Sequence, residues 1–129
     1  MMNKEKKQTY ITEMTSQFEK SEAVIVAHYQ GLTVTQLDEL RAKMREHGII
    51  FKITKNKITK LALEKTRCKD LSNLFTGPTA VALSQDAIAS AKILTNFSKD
   101  NKNLKILGGI MGNDILDVAG VKNVATLPT

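Results

Sequence analysis

The chain has 129 residues, 42% of them hydrophobic and 25% charged, with one cysteine, no tryptophan and a net charge of +6. This is enough for one globular core burying roughly two-thirds of the unfolded surface, and it excludes a disordered chain or a disulfide-stapled one. The longest apolar run, Ala23-Val24-Ile25-Val26-Ala27, is far short of the ~20 residues that span a bilayer; the start, Met1-Met2-Asn3-Lys4-Glu5-Lys6-Lys7, reads as no secretory signal, so a cytoplasmic chain without a membrane partner is expected.

Residues 4–20 are predicted to form a helix, with Ile11, Met14 and Phe18 on one apolar stripe. Residues 23–29 form a β-branched run without alternation, the pattern of a strand covered on both faces. Gly31 then permits a sharp turn. Thr33 and Gln36 have the spacing of a capping box for a second helix, with Leu32 and Leu37 placed as a hydrophobic staple. Leu37, Leu40 and Met44 continue its buried stripe, and Gly48 stands where a left-handed residue ends a helix. A strand follows over 49–53. Asn56 is positioned to cap a short helix carrying Ile58, Leu61 and Ala62, and a further turn comes at Leu71, Leu74 and Phe75. After the Thr76-Gly77-Pro78 break, residues 79–83 form a third strand. Ser84 or Asp86 caps a helix to about Lys99, with Ala89, Ile93 and Phe97 inward. Residues 104–111 form a fourth strand, kinked or bulged at Gly108-Gly109; Gly112-Asn113 reads as a turn, and a last helix is predicted over 117–125.

This order predicts an α+β fold: a ferredoxin-like βαββαβ four-stranded antiparallel sheet with an N-terminal helix and a helical insertion between the second and third strands. The insertion is expected at one end of the sheet. The alternative is an open α/β sheet, parallel and with helices on both faces.

The positive charge is local. Residues 52–69 hold seven basic side chains (Lys52, Lys55, Lys57, Lys60, Lys65, Arg67, Lys69) against Glu64 alone, a net +6, and the remainder of the chain balances at twelve of each sign. Such a patch attracts polyanions, of which nucleic acid is the commonest in a cytoplasm, although a solvated helix face has the same composition. Lys4, Lys6 and Lys7, offset by Glu5, make a weaker second cluster.

No catalytic constellation is visible. His28 and His47 have no nucleophile elbow beside them, and His47 suits the carbonyl end of its helix. The glycines at 108, 109 and 112 lack the Gly-Lys-Ser/Thr of a phosphate-binding loop, Cys68 offers no metal-ligand spacing, and the carboxylates do not pair. No catalytic residue, metal or cofactor is therefore expected. The more specific feature is Lys55-Asn56-Lys57, which ends a strand and opens a helix, so that backbone N–H groups and two ammonium groups converge as a phosphate would need. Lys60 extends that edge by one turn. Tyr29-Gln30-Gly31 ends another strand, with a ring able to stack on a base or ribose, or simply to complete an ordinary turn. Rival readings are a small ferredoxin-like metabolite-binding or enzymatic domain, which would need a convergent polar pocket, and a protein-binding module, which would need an exposed apolar patch.

Four segments in order carry a resemblance: Val26-Ala27-His28-Tyr29-Gln30-Gly31-Leu32-Thr33-Val34, Leu37-Asp38-Glu39-Leu40-Arg41, Lys55-Asn56-Lys57, and Leu74-Phe75-Thr76-Gly77-Pro78-Thr79-Ala80. Together they resemble the bacterial ribosomal stalk-base family, large-subunit protein L-ten, related to archaeal and eukaryotic P-zero, over essentially the whole chain to Leu127-Pro128-Thr129. The resemblance implies a structural protein of the large ribosomal subunit that binds ribosomal RNA beside the neighbouring protein L-eleven. It also implies an anchor for the acidic stalk dimers that recruit translational GTPases. In the family those dimers sit on a C-terminal helix that is absent from this chain, so residues 1–129 read as a single RNA-binding domain. The family usually has Arg where this chain has Gln30, which implies a weaker phosphate contact there or its transfer to a neighbouring lysine.

Overall fold

A computed structural model describes residues 4–64, 66 and 68–128. Of the basic segment, Lys65 and Arg67 lie outside the described residues. The chain order is α1 (Lys4–Lys20), β1 (Ala23–His28), α2 (Val34–Glu46), β2 (Ile50–Ile53), α3 (Asn56–Leu63), a 3₁₀ segment (Lys69–Leu74), β3 (Thr79–Ser84), α4 (Ala87–Asp100), β4 (Lys105–Met111), β5 (Asp114–Leu116) and α5 (Val118–Ala125).

The strands form one sheet in the order β2-β3-β1-β4-β5, every neighbouring pair antiparallel. The α+β class is therefore observed, and the parallel alternative is not. The sheet has five strands where four were expected. The added strand, β5, is made by the turn at Gly112-Asn113: Gly112 has φ +62° at the first of the two loop positions, and the chain folds back so that Met111 faces Asp114. β4 is bulged as anticipated, one residue early. Val26 pairs with Gly108 but Ala27 pairs with Ile106, leaving Leu107 as the extra residue.

Helices cover both faces of the sheet. On one, Leu40 and Met44 of α2, Leu94 and Phe97 of α4, and Val121 and Val124 of α5 pack on Ile25, Ala27, Phe51 and Ala82. On the other, Met14 and Phe18 of α1, Ala62 and Leu63 of α3, and Leu71 and Phe75 pack on Val24, Val26, Val81 and Leu83. The helical insertion thus joins α1 over the second face and does not sit at one end of the sheet. The cause is β1 itself: its alternate residues feed two cores, and each fully buried side chain of this size contributes about 1.5–3 kcal/mol over exposure. Cys68 is buried in the second layer.

The boundaries of α2 follow the sequence signals. Thr33 Oγ1 accepts the Gln36 N–H at 3.1 Å while the Thr33 N–H donates to Gln36 Oε1 at 2.9 Å. At the other end the Ile49 and Gly48 N–H groups donate back to the Met44 and Arg45 carbonyls, closing a Schellman motif. His47 Nδ1 donates to the Lys43 carbonyl at 3.1 Å, a structural role in that last turn. Asp86, the second of the two candidates, caps α4 by accepting the Ala89 N–H.

Two details of α3 differ from expectation. Its cap position is Lys55, with Asn56 already inside the helix, and the inward face carries Thr59, Ala62 and Leu63 while Leu61 is 50% exposed. The helix is rotated because the buried Thr59 hydroxyl finds a partner in Tyr10 Oη at 2.8 Å. A periodicity count treats threonine as polar and does not anticipate that bond.

Candidate nucleic-acid interface

β1 and β2 run the same way, both antiparallel to β3, and β4 opposes β1. The exits of β1 and β2 and the entries of β3 and β4 therefore share one end of the sheet. This brings together 28–31, 54–57, 76–79 and 103–105, which are far apart in sequence.

Hydrogen bonds brace these segments. The Thr54 N–H and hydroxyl both donate to the Thr79 carbonyl, at 3.0 and 3.1 Å. Asn56 Nδ2 donates to the Gly77 carbonyl at 2.8 Å. The Tyr29 N–H donates to the Pro78 carbonyl at 3.2 Å, and His28 Nε2 to the Thr76 carbonyl. Residues 76–79 thus act as a central strut to which both Lys55-Asn56-Lys57 and Tyr29-Gln30-Gly31 are attached.

The expectation that Asn56 caps α3 is corrected by this network. Its amide is committed to Gly77 and the Lys55 side chain makes no cap bond; Tyr10 Oη answers the Lys55 N–H, which leaves the N–H groups of Asn56, Lys57 and Ile58 without a side-chain cap among the described residues. The first N–H groups of a helix have no intrahelical acceptor, so this start keeps open donors and the positive end of the helix dipole. Lys55 and Lys57 flank it, both exposed, and half-buried Lys60 stands one turn further on.

Tyr29 is half-buried, packed against the α2-side core, while Gln30 and Gly31 are exposed. Gly31 has φ +93°, and a Cβ there would stand 2.8 Å from Asn103 Cγ, so the turn needs glycine. Lys4, Lys6 and Lys7 are exposed on the first turns of α1. Lys6 and Lys7 precede by about one helical turn Tyr10, whose hydroxyl accepts the Lys55 N–H at 3.2 Å. The weaker basic cluster is thereby tied to the start of α3.

Sequence reasoning missed Asn103 and Lys105. With His28, Gln30 and Gly31 they line a recess of about 340 Å³, and Asn103 Nδ2 donates to the Gly31 carbonyl at 3.0 Å. The signal available was the polar turn Asn101-Lys102-Asn103 entering a strand antiparallel to β1. Arg41 belongs elsewhere: it lines a recess with Arg45, Ile49 and Phe51 at the entry of β2, the opposite end of the sheet.

Residues 2–99 match the profile of the family described as Ribosomal protein L10. A protein of Pelagibacter ubique named large ribosomal subunit protein uL10 is 70% identical over 128 residues, covering 99% of this chain and 77% of that protein. Proteins of the same name from Rhodospirillum rubrum and Parvibaculum lavamentivorans are 46% and 44% identical over the same length, each with 74% of its own length covered. The motif resemblance and the whole-chain similarity agree, and the chain belongs to the ribosomal protein L10 family.

Proposed function

We propose that the sheet end docks this chain on large-subunit ribosomal RNA, with Lys55, Lys57 and Lys60 neutralising phosphates around the open start of α3. Membership of the L10 family makes the chain a structural, non-enzymatic constituent of the large ribosomal subunit, located on the ribosome in the cytoplasm. The observation that carries the RNA assignment is the uncapped, lysine-flanked helix start held rigidly by the Asn56–Gly77 bond. A phosphate there would accept the free N–H groups and meet the helix dipole and the two exposed ammonium groups together.

Gln30 and Gly31 would form the adjoining contact surface, the exposed part of the Tyr29 ring a stacking edge, and Lys4, Lys6 and Lys7 an outer rim. Asn56 would act by holding the α3 start in place. Residues 1–129 would serve as a single RNA-binding domain. Its first four strands, in the order β2-β3-β1-β4, are read as a ferredoxin-like unit to which β5 is appended. Docked beside protein L-eleven, the domain would anchor the stalk that recruits translational GTPases. Binding of the acidic stalk dimers themselves falls in the family to a C-terminal helix and is assigned to no residue of 1–129.

The test is the salt dependence of affinity for a large-subunit ribosomal RNA fragment. Lys55→Ala/Lys57→Ala/Lys60→Ala should reduce the slope of log affinity against log salt by about two to three, and weaken binding on the order of 10- to 100-fold near 0.15 M salt. An unchanged slope would remove these lysines from the interface.

A further inference from the structure

A second basic surface is assembled by the fold from lysines that are dispersed in sequence. The recess beside Gln30 and Gly31 shares Lys105 with a neighbouring one lined also by Ser98, Lys102, Leu104, Ile106, Val118 and Lys122. That in turn shares Ser98, Lys102 and Lys122 with a third, which adds Thr95, Lys99 and Thr126. The three form one track from the sheet end, past the entry of β4, to the groove between α4 and α5. Among the described residues, none of the side chains lining it is acidic. Asp117, close by in sequence, is engaged in capping α5 through the Gly120 N–H at 2.7 Å.

A purely local explanation covers half of these lysines. Lys99 and Lys122 lie in the last turns of α4 and α5, where a cation complements the carbonyl end of the dipole. Lys102 follows α4 and Lys105 opens β4, and these two join the recesses to one another.

The charge of the track argues for a phosphate backbone: four lysines line it with no acidic side chain among them, although Leu104, Ile106, Val118 and the lysine stems make part of its wall apolar. Three hydroxyl residues line its far part. Ser98 and Thr126 donate to the Thr95 and Asn123 carbonyls, at 2.8 and 2.6 Å, so their oxygens are left as acceptors for a ribose hydroxyl or water and not as donors to phosphate, and the Thr95 hydroxyl is buried. Four ammonium groups for phosphate and two hydroxyl oxygens for ribose, on a partly apolar wall that adjoins the candidate RNA interface, suit a ribose–phosphate chain passing from one to the other.

We propose that the ribosomal RNA docked at the sheet end continues along this track, so that Lys99, Lys102 and Lys122 contact phosphates and the domain is held on two adjoining sides. The inference rests on the RNA reading above but concerns different residues, and it is separable from it. Affinity for a large-subunit ribosomal RNA fragment is measured against salt for the parent chain, for Lys99→Gln/Lys102→Gln/Lys122→Gln, and for the α3 triple alanine variant. All three substituted lysines of the track are exposed, so the fold should survive, which the melting temperature checks. Lysine acetylation with and without RNA gives a second reading that needs no substitution.

The expected result is a slope smaller by about two to three in the glutamine variant, with Lys102 and Lys122 protected from acetylation by RNA. An unchanged slope in that variant, or full acetylation of Lys102 and Lys122 in the complex, overturns the inference; if the α3 variant still loses slope, the sheet-end reading stands. Loss of slope in the glutamine variant alone would remove the sheet-end assignment and overturn the continuous path, leaving these lysines as a separate contact. No binding by the parent chain would overturn both.

Discussion

Two helices begin at the same end of the sheet, and their first turns are finished in opposite ways. At α2 the Thr33–Gln36 box answers the N-terminal donors from within the helix itself. At α3 the residue in the cap position is Lys55, whose N–H is met by Tyr10, the neighbouring asparagine is bonded to Gly77, and the next donors are left open beside two exposed lysines. A closed start fixes a helix in the fold, whereas an open one at a positively charged edge costs some stability and is suited to an anion from outside. The difference separates the structural role of one strand-to-helix connection from the binding role assigned to the other.

Closing the second start is the sharpest way to break this contrast. The backbone of Lys55 is already extended, as a cap residue requires, so Lys55→Asp should cap α3 and raise stability by about 1 kcal/mol. The same substitution places a carboxylate where a phosphate is proposed, and RNA affinity should fall by on the order of tenfold or more. Chemical denaturation and RNA titration of one variant therefore move in opposite directions. If stability rises while affinity holds, the open start is not the phosphate site.

Asn56→Ala removes the tie to Gly77 without changing charge. Stability should drop by about 1 kcal/mol and RNA affinity should weaken several-fold, with the salt slope unchanged, because the phosphate contacts remain but are less well positioned. A slope that fell by a full unit would mean that the bond holds a lysine in place directly. Thr33→Ala opens the first start instead. It should cost about 1 kcal/mol in denaturation and leave the salt slope as in the parent, since α2 carries no lysine at its opening. The smallest effect is expected from Gln30→Arg: a steeper slope by about one, and a few-fold tighter binding at moderate salt. An unaltered slope would place Gln30 off the RNA path.

Local signals made much of this legible in the sequence. The α2 box, the Gly48 stop and the doubly covered β1 all act within a few residues, and each is found where it was expected. What escaped depended on partners distant in the chain. Asn56 has the composition of a cap, but its amide bonds 21 residues away. Thr59 turned inward because Tyr10, on a helix 49 residues earlier, supplies its hydrogen bond. β5 is three residues long and half-open to solvent, too short for any periodicity to register. The lysines at 99, 102, 105 and 122 are spaced among neutral and acidic residues, so charge counted along the chain saw balance where the fold makes a track.

The central claim is that the open start of α3 faces ribosomal RNA, and lysine reactivity reads this on the unmodified chain. Acetylation rates of Lys55 and Lys57 should fall by on the order of tenfold on binding a large-subunit ribosomal RNA fragment, while Lys20, at the far end of α1, keeps its free rate. Undiminished acetylation of Lys55 and Lys57 in a saturated complex, with protection confined to other lysines, would contradict the account.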